Sequence, residues 1–464
     1  GKIYQRRGRR ESGTFANIYS MLSFGRGDFS SDDRAGHLQD IADEMIPARL
    51  EIGDLSRSLF DAVTAFFIDP AKSAPGEHRI RIGEREENRS EFKTLVHFAF
   101  KLRDGCKSLS ARMRKFARRM TSLIGEFDDE NEHFELPLIE LGTFASRLEE
   151  IWQGLNVLFD TSVVSRELYV HFFTATVRRN AVYTAVHSLP IVVSAPMLDY
   201  CFKKIPCTIL VSGTLSTAHN FNFIKNRLGL DSNELTPQPL EGRFPSPFDY
   251  GSQARLFIPT DIPDPANPMF AEKVSQPLFD IILASRGGAL VLCTSYGHLN
   301  QFYNNLAPLL AAEGIECYKQ GEFERHYLLE LFKEDGNAVL FATDSFWEGV
   351  DIPGSALRNL IITRLPFATP NDPVLEARND KIKAAGGNAF KDYQLPMAAI
   401  KLKQGFGRLI RKKDDRGTIW ILDHRIVTKS YGSYFLESLP EMPVLRGKFH
   451  ALSAMASKFF ACEP

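Results

Sequence analysis

From residue 33 to about 70, in DDRAGHLQDIADEMIPARLEIGDLSRSLFDAVTAFF, apolar positions recur at mixed three and four spacings. That is the period of a helix, or a helix pair, that buries one face. The period returns in NRSEFKTLVHFAFKLRDGCKSLSARMRKFARRMTSLIG (88–125) and ELPLIELGTFASRLEEIWQGLNVLFD (135–160), with the acidic loop EFDDENEHF between them. Three or four long helices with short polar connections predict an all-helical module over about 25 to 165.

From about residue 181 the pattern changes to short continuous apolar runs: CTILVSGTL, ALVLCTSY, NAVLFAT, RNLIITRLPF and GTIWILD. Runs this short, rich in Val, Ile, Leu and Thr, read as parallel strands buried on both faces. Helical stretches such as GHLNQFYNNLAPLLAAEG lie between several of them, which predicts an α/β domain of the doubly wound kind. The proline-rich piece 244–268 reads as an extended connector with one strand in it.

Composition narrows this picture only a little. At 464 residues the chain exceeds one core and fits two or three domains of roughly 150 residues. Its 44% hydrophobic and 24% charged residues exclude a disordered or fibrous chain. A net charge of -1 leaves only local basic runs as nucleic-acid footprints, at 1–10, 112–120 and 401–413, where solvated helix faces are the plainer reading. Cys106, Cys201, Cys207, Cys293, Cys317 and Cys462 form no C-x-x-C pair and read as reduced, buried thiols, with no metal site expected. No apolar run nears the ~18 residues of a membrane span and no secretory signal opens the chain, so a soluble cytoplasmic protein is expected. Gly1 in place of methionine suggests a segment that precedes it or was cut away.

Ligands of open α/β sheets gather beyond the carboxyl ends of the strands. There the chain places Ser212 and Thr214, then Thr294, Ser295 and Tyr296, then Thr343 before a loop holding Asp344, Glu348, Gly349 and Asp351 around Trp347. A hydroxyl at such a point commonly caps a helix, and a packed acidic loop can be a mere turn. In QGFGRLIRKKDDRG, a helix beginning near Gly407 would set Arg408 and Arg411 on one face beside Gln404. Their planar forks suit phosphate oxygens, while ion pairs to Asp414 and Asp415 are the structural alternative.

Taken in order, SGTLS, LVLCTSY, FATDSFWEGVDIPG, RLPF, QGFGRLIRKKDDRG and ILDHRI…YGSYFLESLP resemble motifs III to VI and their flanks in the DinG/XPD family of superfamily 2 DNA helicases. The resemblance runs from about 181 to 440; Ser-Gly-Thr at 212–214 is nearer the XPD branch and the other motifs are DinG-like. It implies a two-domain RecA-like motor that hydrolyses ATP and moves along single-stranded or forked DNA, usually 5′ to 3′. It also implies a remnant of the first RecA-like domain at 1–24, a helical arch at 25–180, the rest of the first domain at 181–216 and the second at 217–464. Arg411 would be the arginine finger, with Arg408 and Gln404 beside it. Glu348, Gly349, Asp351 and Gly407 would border the nucleotide. Ser295 and Thr343 would lie towards DNA phosphates, and Ser212 and Thr214 would couple the domains.

The sequence contains no G-x-x-x-x-G-K-[ST] and no D-E-x-H, and no counterpart of the family's four iron-sulfur cysteines. ATP and magnesium are thus expected of the intact protein, an iron-sulfur cluster only of an upstream part, and this chain alone is expected to be an inactive ATPase. A non-catalytic binding protein, a relic of a helicase, is the alternative.

Overall fold

The computed structural model describes residues 3–7, 10–27, 29–67, 76–124, 132–160, 167–178, 181–343, 346 and 356–461. The chain divides into two compact units, one formed by Gly1–Val192 with Asn371–Arg378, the other by Val193–Pro370 with Asn379–Pro464.

Unit one is built around three long helices, Ile46–Phe67, Ser90–Ile124 and Glu132–Phe159. The middle one buries Leu95, Ala99, Leu102, Cys106, Leu109, Met113, Phe116 and Met120, which is the three-and-four spacing seen in the sequence turned into one apolar face. Arg114 fixes its partner helix by donating from Nε and Nη2 to the two carboxylate oxygens of Glu149, each at 2.6 Å.

Two strands, β1 (Gln5–Arg7) and β2 (Arg10–Ser12), form a small hairpin. The helical expectation omitted an antiparallel sheet of β3 (Gly76–Arg81), β4 (Tyr169–Arg178) and β5 (Ala181–Pro190). These strands escaped notice because β3 is a polar hexapeptide and β4 mixes threonine and histidine with apolar residues, so neither is a continuous apolar run.

His37 lies fully buried against the edges of Phe29 and Phe116, and neither ring nitrogen has a hydrogen-bond partner among the described residues. Burial lowers its pKa from the ordinary 6.5, Arg119 lowers it further, and Asp40 and Asp33 oppose the shift. With the folded value depressed, the unfolded chain binds the extra proton, so unit one is expected to lose stability as pH falls below about 6.5 and to hold a plateau above it. His37→Phe is expected to flatten that acid limb, which urea midpoints measured between about pH 5 and pH 8 would reveal.

Unit two carries a seven-stranded, wholly parallel sheet in the order β12-β6-β11-β10-β7-β9-β8. Its strands are β6 (Ala254–Pro259), β7 (Ala289–Leu292), β8 (Cys317–Lys319), β9 (Val339–Ala342), β10 (Asn359–Ile362), β11 (Gly417–Ile421) and β12 (Val444–Gly447). Apolar cores cover both faces, which is why β7, β9, β10 and β11 are buried at every position and mostly apolar rather than alternating. This is the α/β architecture with a parallel sheet expected. At the entry to β7 a side chain on Gly287 would meet the Asn337 carbonyl oxygen at 1.7 Å, and φ there is +77°, so only glycine fits.

One expected strand is absent. Cys207–Val211 has no strand partner among the described residues, and Ile209 and Val211 are 80% and 87% exposed. An apolar run states a need for burial, but a strand forms only where neighbouring backbone supplies hydrogen bonds. Cys207 itself is exposed rather than buried. No helix among the described residues is long and apolar enough to cross a membrane.

Candidate functional site

The helix Leu395–Phe406 ends where the sequence placed a helix start. Gly407 caps it, its N–H donating to Lys403 O at 3.0 Å, and tight turns follow from Arg408 N to Gly405 O and from Leu409 N to Phe406 O. Gln404 therefore sits in the last helical turn, and Arg408 and Arg411 follow in irregular chain rather than on a helix face. Leu409 and Ile410 enter the core between them and pin the backbone from which both arginines project.

The loop after them is held from two sides. Asp415, buried, accepts from the backbone N–H of both Arg411 and Lys412 at 2.8 Å, so its carboxylate caps the loop. Gln253 Nε2 donates to the carbonyls of Lys412, Lys413 and Asp415. Burial lowers the Arg411 pKa and nearby Asp415 raises it. Gln404 Oε1 is buried with no hydrogen-bond partner among the described residues, whereas Arg408 and Arg411 each make an interaction. A buried amide oxygen without a partner fits a site that a polar ligand completes, since an amide can offer either acceptor or donors.

Just upstream in that helix, Lys403 Nζ donates to Ser216 O at 3.2 Å. Burial, and then Arg243, lowers its pKa. Tyr434 Oη donates to Thr217 at 2.8 Å, and Ser438 Oγ accepts from Ala218 N, so the chain leaving SGTLS is tied to two helices of unit two. Ser212 and Thr214 are joined to each other, with hydroxyls 3.1 Å apart and Thr214 N donating to Ser212 Oγ.

A second group follows the carboxyl ends of β7, β8 and β9. Ser295 caps the helix Tyr296–Ala312, its Oγ accepting from His298 N, which is the capping role weighed above. Thr343, 6% exposed, donates from both N–H (2.7 Å) and Oγ1 (2.9 Å) to Gln320 Oε1. Gln320 Nε2 donates to Tyr296 Oη at 2.6 Å. Thus Gln320, which the sequence did not single out, joins the end of LVLCTSY to the start of FATDSFWEG. Glu348, Gly349 and Asp351, with Asp344 and Trp347, lie outside the described residues.

A third feature was also missed in the sequence. Beyond β11, Asp423 is completely buried and accepts from Leu365 N, Arg425 N and the Arg425 guanidinium, the last at 2.6 Å. It thereby joins RLPF to ILDHR, and its hydrogen bonds raise the Arg425 pKa.

Comparison with known proteins bears on these three groups together. Residues 278–442 match the helicase C-terminal domain family. The ATP-dependent DNA helicase YoaA of Escherichia coli is 38% identical over 267 residues, covering 58% of this chain and 41% of that protein. The ATP-dependent DNA helicase DinG of Photobacterium profundum is 33% identical over 347 residues, covering 72% of this chain and 49% of that protein. The protein named 3'-5' exonuclease DinG of Bacillus subtilis is 33% identical, covering 64% and 32%. This chain thus spans less than half the length of each of these relatives. A solved XPD helicase covers 75% of this chain and 67% of its own at 13% identity, with a TM-score of 0.43.

Proposed function

We propose that this chain is the C-terminal portion of an ATP-dependent DNA helicase of the DinG/XPD family of superfamily 2, a reading supported by the match of residues 278–442 to the helicase C-terminal domain family. The observation that carries the reading is the order of SGTLS, LCTSY, FWEGVD and QGFGRLIR along the chain, with LCTSY directly after β7 of the parallel sheet and Gln404 Oε1 buried without a hydrogen-bond partner among the described residues beside the two arginines in sequence. In this reading unit two couples ATP hydrolysis to movement along single-stranded DNA, 5′ to 3′, in the cytoplasm.

ATP with magnesium would supply the phosphoryl group and its charge neutralisation. The residues of this chain would orient and stabilise. Arg411 and Arg408 would hold terminal phosphate oxygens through planar, permanently charged forks, with Gln404 and Gly407 beside them. Glu348, Gly349 and Asp351 would border the nucleotide, while Ser212 and Thr214 would couple this domain to the first. Ser295 would act as a cap that orients the first amides of its helix towards a DNA phosphate. The phosphate-binding loop and metal-binding acid are absent from this sequence, so they must come from elsewhere for hydrolysis to occur.

The test is binding of a labelled single-stranded oligonucleotide by the 464-residue chain at a series of salt concentrations. Single-strand binding that neutralises two or three phosphates is expected to weaken about tenfold for a fourfold rise in salt, with little dependence on base sequence. Absence of binding even at low salt would remove the reading.

A further inference from the structure

Counting donors in the Thr343–Gln320–Tyr296 chain changes which of its members can meet a ligand. A backbone N–H can only donate, so the group facing Thr343 N must be the Gln320 carbonyl oxygen, and the orientation of this amide is fixed by chemistry. Its NH₂ then necessarily faces Tyr296. The Tyr296 oxygen accepts at 2.6 Å, and no described residue accepts its hydroxyl hydrogen. Thr343 is the reverse case, since both of its donors are spent on Gln320 and it is 6% exposed, whereas Tyr296 is 54% exposed.

We infer that Tyr296, oriented by Gln320, is the hydroxyl that donates to a backbone phosphate oxygen of single-stranded nucleic acid, and that Thr343 acts only by holding Gln320. This rests on the proposed single-strand-binding role of unit two and assigns that role a donor. The hydroxyl stands on the first residue of the helix Tyr296–Ala312, where the positive end of the helix dipole favours an anion. A hydroxyl that already accepts a hydrogen bond is the stronger donor, so Gln320 both aims and polarises it. Gln320 is itself set by register, because its N–H continues the β8–β9 ladder by donating to Phe341 O at 2.9 Å. The end of β9 and the start of the Tyr296–Ala312 helix are therefore joined through a single side chain.

The experiment measures binding of labelled oligothymidylate to the parent chain, Tyr296→Phe, Gln320→Ala and the double variant across a salt series, with folding checked by circular dichroism. Tyr296→Phe removes one oxygen from a half-exposed ring and is expected to weaken binding roughly three- to tenfold at every salt concentration. The slope against salt stays unchanged, because no charge is lost. Gln320→Ala is expected to weaken binding in the parent and to have no further effect in the Tyr296→Phe background, a coupling that a general structural defect would not produce. Unchanged binding by Tyr296→Phe, or additive losses in the double variant, overturns the inference alone. A parent chain that binds no single strand overturns the underlying functional reading and this inference with it.

Discussion

Asp423→Ala is expected to destabilise unit two by roughly 3 to 5 kcal/mol, the effect of removing one partner from a buried ion pair. The carboxylate has no exposure and receives hydrogen bonds from Leu365 N, Arg425 N and the Arg425 guanidinium. Truncation leaves the Leu365 N–H without its partner and a half-buried guanidinium without its counter-charge. Asp423→Asn is expected to cost less, because the amide oxygen still accepts from Leu365 while the ionic contact to Arg425 is lost. Urea midpoints of the two variants and the parent check the order parent, Asn, Ala; equal midpoints for parent and Ala would show that the buried pair contributes nothing.

Arg411→Ala is expected to reduce ATP turnover by about 10³-fold or more in a polypeptide that joins this chain to a G-x-x-x-x-G-K-[ST] domain, the usual scale for an arginine finger. The change should leave the fold intact. Asp415 holds this loop through the backbone amides of Arg411 and Lys412, and that contact survives truncation of the side chain. Unfolding midpoints are therefore expected to move by no more than ~0.5 kcal/mol. Arg411→Lys keeps the charge but loses the planar fork, and little activity is expected to return. Turnover within a few-fold of the parent in Arg411→Ala would assign the finger role to another residue.

The four central strands were legible because burial on both faces leaves no room for polar alternation, so β7, β9, β10 and β11 announce themselves as apolar runs. The same signal misled at Cys207–Val211, where apolar character is present and a pairing strand is not. Edge strand β8 has only three residues, and β12, VLRG, is partly exposed along its length rather than a buried apolar run. The long helices of unit one were readable from period alone, but β3 pairs with β4 across about 90 residues or more, which no local pattern reports, and the β4–β5 hairpin is hidden by its mixed polar and apolar composition.

Within the site, residue types pointed to Gln404, Arg408 and Arg411, yet the helix boundary was inverted because a glycine such as Gly407, just before Arg408, serves equally well as a start or a stop. Gln320 and Asp423 could not be found in sequence. Each is one polar residue whose importance comes entirely from what the fold sets beside it: Thr343 and Tyr296 in one case, Leu365 and Arg425 in the other.

The central claim is that this chain contributes arginines to a nucleotide site whose phosphate-binding loop it does not contain. The most direct measurement is phosphate release by the purified 464-residue chain with saturating ATP, magnesium and single-stranded DNA. No release above that of buffer is expected from a preparation that binds the single strand. Steady turnover that Arg411→Ala abolishes would contradict it, because the chain would then hold a complete nucleotide site of its own.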